Sequence, residues 1–398
     1  MPISRRDFLS STLAGSAALG LSMDALAQNA QGEQSKRASK LPILVCSEFS
    51  YNWIDEGHKL LAGGADTLDA ALQVIKGPED DPNYQNVGLG GRPNEEGVVE
   101  LDACCMHGPT RTAGSVGGVR NIKNVSLLSN TVRLHTGHVM LVGEGAERFA
   151  VAQGFVRENL LTDKSRKDWL LWKETHSDWW GPGIASPDWR KRFRAPAHAE
   201  EWNDRIQRME EIAATIGIAP EDRLEAIRSV IYPPTGTTHC SALNEKGEMS
   251  GCTTTSGLAW KIAGRLGDSP IIGAGCYTDQ DVGSAGAIGS GEENIKVAGA
   301  HTIVENMRRG MSPLEAGMDA IKRIVRNHNG DKERLQFVDM VYYILRKDGA
   351  YAGVSLWEGY SADHHHMLAV HDGTKRLEKT VNLFEGPSQD WPPVQFGS

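Results

Sequence analysis

Apolar residues along this chain come in short runs whose spacing changes from place to place. Residues 41–46 (LPILVC) predict a first strand. A helix capped by Thr67 follows, with Leu68, Leu72 and Ile75 spaced by four and three on one face. Residues 98–106 read as another strand, and 146–151 as the start of a further helix. Ser312-Pro313-Leu314-Glu315 is a capping box with proline at the first helical position. Leu314, Met318, Ile321 and Val325 then form the buried face of that helix. Strands over 337–345 and 351–357 meet at Asp348-Gly349, a hairpin signal, and 367–370 predicts a short strand near the end. Hairpins require a sheet that is at least partly antiparallel, and the mixture of strands and helices in both halves predicts layered packing.

Two regions break this rhythm. Residues 165–235 hold Trp169, Trp172, Trp179, Trp180, Trp189 and Trp202 among interleaved prolines and charges. Within that region, 200–229 has helical periodicity in two pieces, broken at Gly217 to Pro220. The segment is read as an exposed, helical or partly mobile arm leading to Thr237. Irregular aromatic packing is favoured there over a carbohydrate-binding surface. After it, 238–243 is a β-run, Asn244 to Gly247 a turn and 248–255 the return strand. Counting back from the turn sets Thr255 opposite Gly236 or Thr237. Opposed Cβ atoms lie about 4.5–5.5 Å apart, so the two threonine hydroxyls become neighbours.

Composition narrows the function. The chain has 398 residues, 40% of them hydrophobic and 23% charged, enough for one large domain or two small ones. A formal net charge of −9 without a basic stripe argues against nucleic acid as a partner. Residues 1–27 are read as a twin-arginine signal, with Arg5-Arg6, a short Ala/Gly-rich apolar run and the small-residue site Ala25-Leu26-Ala27. Residues 28–40 are polar and read as a disordered linker. Export to a periplasmic or secreted location is therefore expected. The cysteines, none paired at CxxC spacing, are expected to be small buried groups rather than zinc ligands or obligatory disulfides. His135, His138 and His364-His365-His366 do not by themselves supply a converging ligand set, so no metal or other cofactor is expected.

The residues that carry chemistry lie in 235–291. A threonine hydroxyl is a weak nucleophile without a base. Breaking the peptide bond before Thr237 would free an α-amine titrating near about 7.7–8.0, able to take the hydroxyl proton. Gly236 is expected to permit the strained backbone that self-cleavage needs. Arg265 and Asp268, three apart in a glycine-rich loop, suit a carboxylate and an ammonium respectively.

The stretch GRLGDSPIIGAG, with VGLGGRPNE at 87–95, ELDA at 100–103 and the block from His135 to Glu144, resembles the glycosylasparaginase and plant-type asparaginase superfamily of N-terminal-nucleophile hydrolases. The resemblance implies an α+β fold, a four-layer αββα sandwich cut into an α segment (41–236) and a β segment (237–398). It implies Thr237 as nucleophile at a Gly236–Thr237 autocleavage site, Thr255 in support, Arg265 and Asp268 as substrate ligands, and Gly289 in the oxyanion hole. The substrate is then a small asparagine-derived amide, and the assembly a dimer of processed heterodimers.

The chain departs from the family pattern in three places. Ile288 stands where the family has an oxyanion threonine, so either water or Ser290 substitutes or activity is lowered. Gly236 stands where glycosylasparaginases carry aspartate. Glu48 and Phe49 occupy the neighbourhood of a substrate-framing tryptophan. Arg92 sits where members vary. The alternatives are a plant-type asparaginase or isoaspartyl peptidase, favoured by the Gly-Thr junction, and a non-catalytic exported binding protein on the same fold.

Overall fold

A computed structural model of the chain describes residues 40–175, 187, 199–361 and 364–388. The signal, the linker up to Ser39, Trp179, Trp180 and Trp189 lie outside the described residues, as does the side chain of Trp202. Among the described residues the strands are β1 (Ile43–Ser47), β2 (Leu101–His107), β3 (Thr112–Val119), β4 (Met140–Val142), β5 (Thr235–Leu243), β6 (Met249–Leu258), β7 (Cys276–Asp279), β8 (Gly283–Gly289), β9 (Met340–Arg346), β10 (Tyr351–Gly359), β11 (Met367–His371), β12 (Lys375–Lys379) and β13 (Val381–Pro387). Eight of them form one sheet in the order β12-β11-β1-β5-β6-β2-β3-β4, and five a second in the order β13-β10-β9-β8-β7.

The two sheets face each other. Ile43, Val45, Leu243, Met249, Ile288, Val341, Tyr343 and Leu345 fill the space between them. Helices α1 (Ile54–Ala62), α2 (Thr67–Asp80) and α3 (Val125–His135) cover the outer face of the larger sheet through Leu61, Leu68, Leu72, Ile75, Leu128 and Val132. Farther along the chain come α4 (Gly143–Ala152), α5 (Asp163–Thr175), α6 (Ala199–Thr215), α7 (Pro220–Ile231), α8 (Gly291–Val297), α9 (Gly299–Arg308) and α10 (Pro313–Asn327). Of these, α9 and α10 cover the smaller sheet with Ile303, Val304, Leu314, Met318 and Ile321. Helix, sheet, sheet, helix is the four-layer sandwich that the resemblance implied. The central strands alternate their side chains between a helix-facing and a sheet-facing core, which is why β1, β2, β5, β6, β8, β9 and β10 are almost wholly buried.

Several expectations hold at the level of residues. Ser312 and Glu315 close their capping box around Pro313. Tyr351 pairs with Leu345 in the β9–β10 hairpin. The cap of α2 is Asp66 rather than Thr67: its carboxylate accepts from Leu68 N–H at 2.8 Å, while Thr67 is the first helical residue. A carboxylate adds charge to the cap at the positive end of the helix dipole. The described part of the arm is helical, with the expected break at Gly217 to Pro220, but it is not simply exposed. Trp172, Met209, Ala213, Ile227 and Val230 form a separate core around Trp260. The indoles of Trp172 and Trp260 stack with centroids 5.8 Å apart. Among the described residues no helix is long and apolar enough to cross a membrane.

Candidate active site

The hairpin of β5 and β6 is antiparallel, and its turn is held by Asn244, whose side-chain oxygen accepts from Lys246 and Glu248 N–H. The register opposes Thr237 to Thr255 and Gly236 to Gly257, with an irregularity between them that leaves Ser256 extra. Of the two registers open to sequence counting, the structure adopts the one that pairs the threonines directly. Both threonines are buried at the end of the larger sheet that lies against β8.

The hydroxyls make a directed chain. Thr237 donates to Thr255 at 3.1 Å, and Thr255 donates in turn to the carbonyl oxygen of Gly236. Gly257 N–H donates to the Thr255 oxygen at 2.7 Å. One hydroxyl therefore touches both the hydroxyl and the carbonyl that flank the Gly236–Thr237 peptide bond. Gly236 is required here for a different reason from the one its sequence context suggests. Its φ is not in the left-handed region. A Cβ at this position would lie 2.2 Å from Cβ of Asn86 and 2.5 Å from its Cα. Asn86 is itself fixed: its carbonyl accepts from Ser256 N–H at 2.9 Å, and Arg92 donates to its side-chain oxygen at 2.9 Å. Arg92, buried and also bonded to Gln85 and Glu225, thus anchors the wall against which Gly236 sits.

Arg265 and Asp268 flank this end of the sheets, held by two residues that sequence reasoning missed. Nε and Nη2 of Arg265 donate to both oxygens of Glu292 at 2.8 and 2.7 Å. The guanidinium's Nη1 edge faces Gly257 and Gly267, where a Cβ would come within 3.3 and 3.0 Å of it. Asp268 accepts from Asn294 Nδ2 at 2.6 Å, and Tyr342 O–H donates to Asn294 Oδ1 at 2.7 Å. Burial pushes the Asp268 carboxyl up to about 6, against the Asn294 hydrogen bond and the Arg265 charge. Glu292 and Asn294 lie on α8, directly after GSG, where their spacing carries no signal of its own. Only the approach of α8 to the 265–268 loop gives them a task.

Behind Thr255, Asp102 opposes it across β2 and β6. Asp102 accepts from Gly118 N–H at 2.7 Å, but its second oxygen has no hydrogen-bond partner among the described residues. Lys261 is fully buried nearby and donates to the Glu100 carbonyl at 3.1 Å. Burial raises the Asp102 carboxyl while the charges of Lys261 and Arg265 oppose the rise. These two residues were not expected at the site.

Gly289 ends β8 with φ +119°, a backbone closed to other residues, and a Cβ there would lie 2.0 Å from the Asp339 carbonyl. Ile288 turns into the core between the sheets, so it offers the site neither a donor nor a contact surface. The Ser290 oxygen accepts from Asp339 N–H at 3.1 Å, which ties this strand end to the start of β9. Among the histidines, His364 and His366 come together with Glu48: His364 lies 3.2 Å from Glu48 and His366 2.9 Å from Asp339. His135 and His138, at the exposed end of α3, take no part in that group.

A pair of facing sheets with a buried threonine at the start of a central strand defines a class of enzyme scaffold, and sequence comparison places the chain within it. The asparaginase family profile matches residues 30–333, and the chain belongs to that family. It is 33% identical over 368 residues to an N(4)-(beta-N-acetylglucosaminyl)-L-asparaginase of Elizabethkingia miricola, covering 92% of each chain. The enzyme of the same name from Rattus norvegicus is 33% identical over 292 residues, 72% of this chain and 78% of the relative. A probable isoaspartyl peptidase/L-asparaginase 3 of Arabidopsis thaliana is 29% identical over 328 residues, 80% of this chain and 85% of the relative. The protein is an amidohydrolase of the asparaginase type.

Proposed function

We propose that the chain cuts itself between Gly236 and Thr237 and then uses Thr237 to hydrolyse the side-chain amide of an asparagine derivative, with N4-(beta-N-acetylglucosaminyl)-L-asparagine the first substrate to test. The observation that carries this reading is the hydroxyl chain from Thr237 through Thr255 to the Gly236 carbonyl. Thr237 Oγ attacks the Gly236 carbonyl carbon as its proton passes to the Thr255 oxygen, and Thr255 in the same step passes its own proton towards the Gly236 oxygen, so that the relay stabilises the charge developing there. The relayed proton then moves to the leaving nitrogen as the C–N bond breaks, which frees the α-amine of Thr237, and water hydrolyses the resulting ester.

In the cut enzyme that α-amine serves as base. Arg265 takes the substrate's α-carboxylate on its Nη1 edge, and ionised Asp268 takes the ammonium. The Gly289 N–H stabilises the oxyanion of the substrate amide, with Ser290 or water standing in for the hydroxyl that Ile288 lacks. The amine leaves first, and water then releases aspartate. Export by the twin-arginine route, a periplasmic location and pairing of two processed heterodimers complete the proposal.

An intact mass of the purified protein tests the first half. Two fragments meeting between Gly236 and Thr237 are expected, and one uncut chain in Thr237→Ala. An uncut wild-type chain after long incubation would sink the mechanism. Parallel turnover of glycosyl-asparagine, asparagine and β-aspartyl dipeptides tests the second half. The Gly-Thr junction and the likeness to the Arabidopsis protein favour the asparaginase and isoaspartyl peptidase reading as the runner-up.

A further inference from the structure

Four of the six cysteines form a row across the larger sheet. Cys46 on β1 opposes Cys240 on β5, Cys240 opposes Cys252 on β6, and Cys252 opposes Cys105 on β2. All four point toward the layer covered by α1 and α2, and all are buried and free. The other two, Cys104 on β2 and Cys276 on β7, are a second contacting pair close to this row, also with one member on each side of residue 236. Within the row, Cys46 and Cys240 stand in contact: their sulfurs are 3.1 Å apart. Directly opposed residues of antiparallel strands have Cα atoms about 4.5–5.5 Å apart, inside the roughly 4.4–6.8 Å that a disulfide spans. The two thiols need little backbone movement to join.

Their place in the chain gives this contact a consequence. Cys46 lies before the Gly236–Thr237 junction and Cys240 lies after it, on the strand that Thr237 begins. We infer that Cys46 and Cys240 are a disulfide-forming pair whose oxidation bolts the segment before the junction to the nucleophile-bearing segment after it. The bond itself does not depend on cleavage; its role as an inter-chain link rests on the self-cleavage proposed above. Two thiols lose two protons and two electrons, and one S–S bond forms. The acceptor is a small disulfide oxidant of the oxidised-glutathione class, which is reduced to two thiols by way of a mixed disulfide. Burial pushes the Cys240 thiol well above its ordinary value, so its thiolate is scarce in the closed fold. Exchange therefore requires the covering helices to open briefly. Cys252 competes for Cys240, but both lie after the junction, and a bond between them would leave the two segments separable; a bond between Cys104 and Cys276 would link the segments but would persist in Cys46→Ser.

The test uses the full purified protein, held with oxidised glutathione in sub-denaturing urea. Remaining thiols are alkylated and the sample is denatured without reductant for intact mass. The expected product is one linked species with four alkylated cysteines, which reduction separates into the two segments. Cys46→Ser and Cys240→Ser lose the link, and Cys252→Ser keeps it. Separate segments with all six cysteines alkylated would overturn the inference, as would a link that persists in Cys46→Ser. Should the chain prove uncut, a protease digest of the same oxidised sample still decides. A cross-linked peptide joining Cys46 to Cys240 upholds the pair and its absence overturns it, whatever happened at Gly236–Thr237.

Discussion

The hydroxyl of Thr255 does two things at once: it accepts from Thr237 and donates to the Gly236 carbonyl. Thr255→Val keeps the shape and removes both bonds. Loss of one oxyanion donor typically costs about 10²–10³ in rate, so the variant is expected to cut itself slower by that order, followed by intact mass against time. Asp268 sets a pH limit. Its carboxyl is raised to about 6 in the unliganded site, and only the ionised form holds an ammonium. Protonation of the Thr237 α-amine already lowers kcat/KM below about 7.7–8.0, and the fall is expected to steepen as pH drops through about 6, because that ratio reports every essential group of the free enzyme. Asp268→Asn is expected to raise KM and remove this steepening while the α-amine limb stays. A steepening near 6 that survives in the variant would assign the second titration elsewhere.

At the scale of elements, Glu79 joins three of them. It lies on α2, accepts from Ser126 N–H at 3.0 Å and Ser126 Oγ at 2.7 Å at the start of α3, and accepts from Thr254 Oγ1 at 2.6 Å on β6. Thr254 is the neighbour of Thr255, so this carboxyl seats the strand that carries the supporting hydroxyl. Burial raises it from 4.5 to about 7. Between those values the folded chain keeps a proton that the unfolded chain releases. Its stabilising contribution is full below the unfolded value and is lost as pH rises through the folded one. Glu79→Gln is expected to fold and to show a flatter dependence of denaturant midpoint on pH across this window. An unchanged slope would mean that Glu79 is ionised in the fold.

At the scale of the molecule, the proposed cut falls within β5, whose neighbours come from both sides of the junction. β1 pairs with β5, β2 with β6, and β11 with β1. Cutting one peptide bond breaks none of these ladders. The two segments are expected to elute together in native size-exclusion chromatography and to separate only when denatured and reduced. Dissociation under native conditions would show that the ladders alone do not hold the processed enzyme. The arm adds to this cohesion, since Trp172 and Trp260 stack across the same junction.

What the sequence determined by itself was local and directional: the capping box at Ser312, the hairpin that opposes Thr255 to the start of β5, and the 265–268 loop. These depend on dihedral preferences, turn chemistry and periodicity over a few residues, so neighbours in the chain suffice to specify them. Glu292 behind Arg265, Asn294 behind Asp268, Asn86 against Gly236 and Asp102 beside Lys261 were not legible. Each contact joins elements far apart in sequence, and nothing in the local pattern marks which polar residue will be brought to the site. The reason for Gly236 likewise changed from backbone freedom to lack of space, because the wall it meets comes from a loop about 150 residues away. Only the closing of the two sheets between their helical layers placed those groups together, since a buried polar residue is stable only where another element arrives to satisfy it.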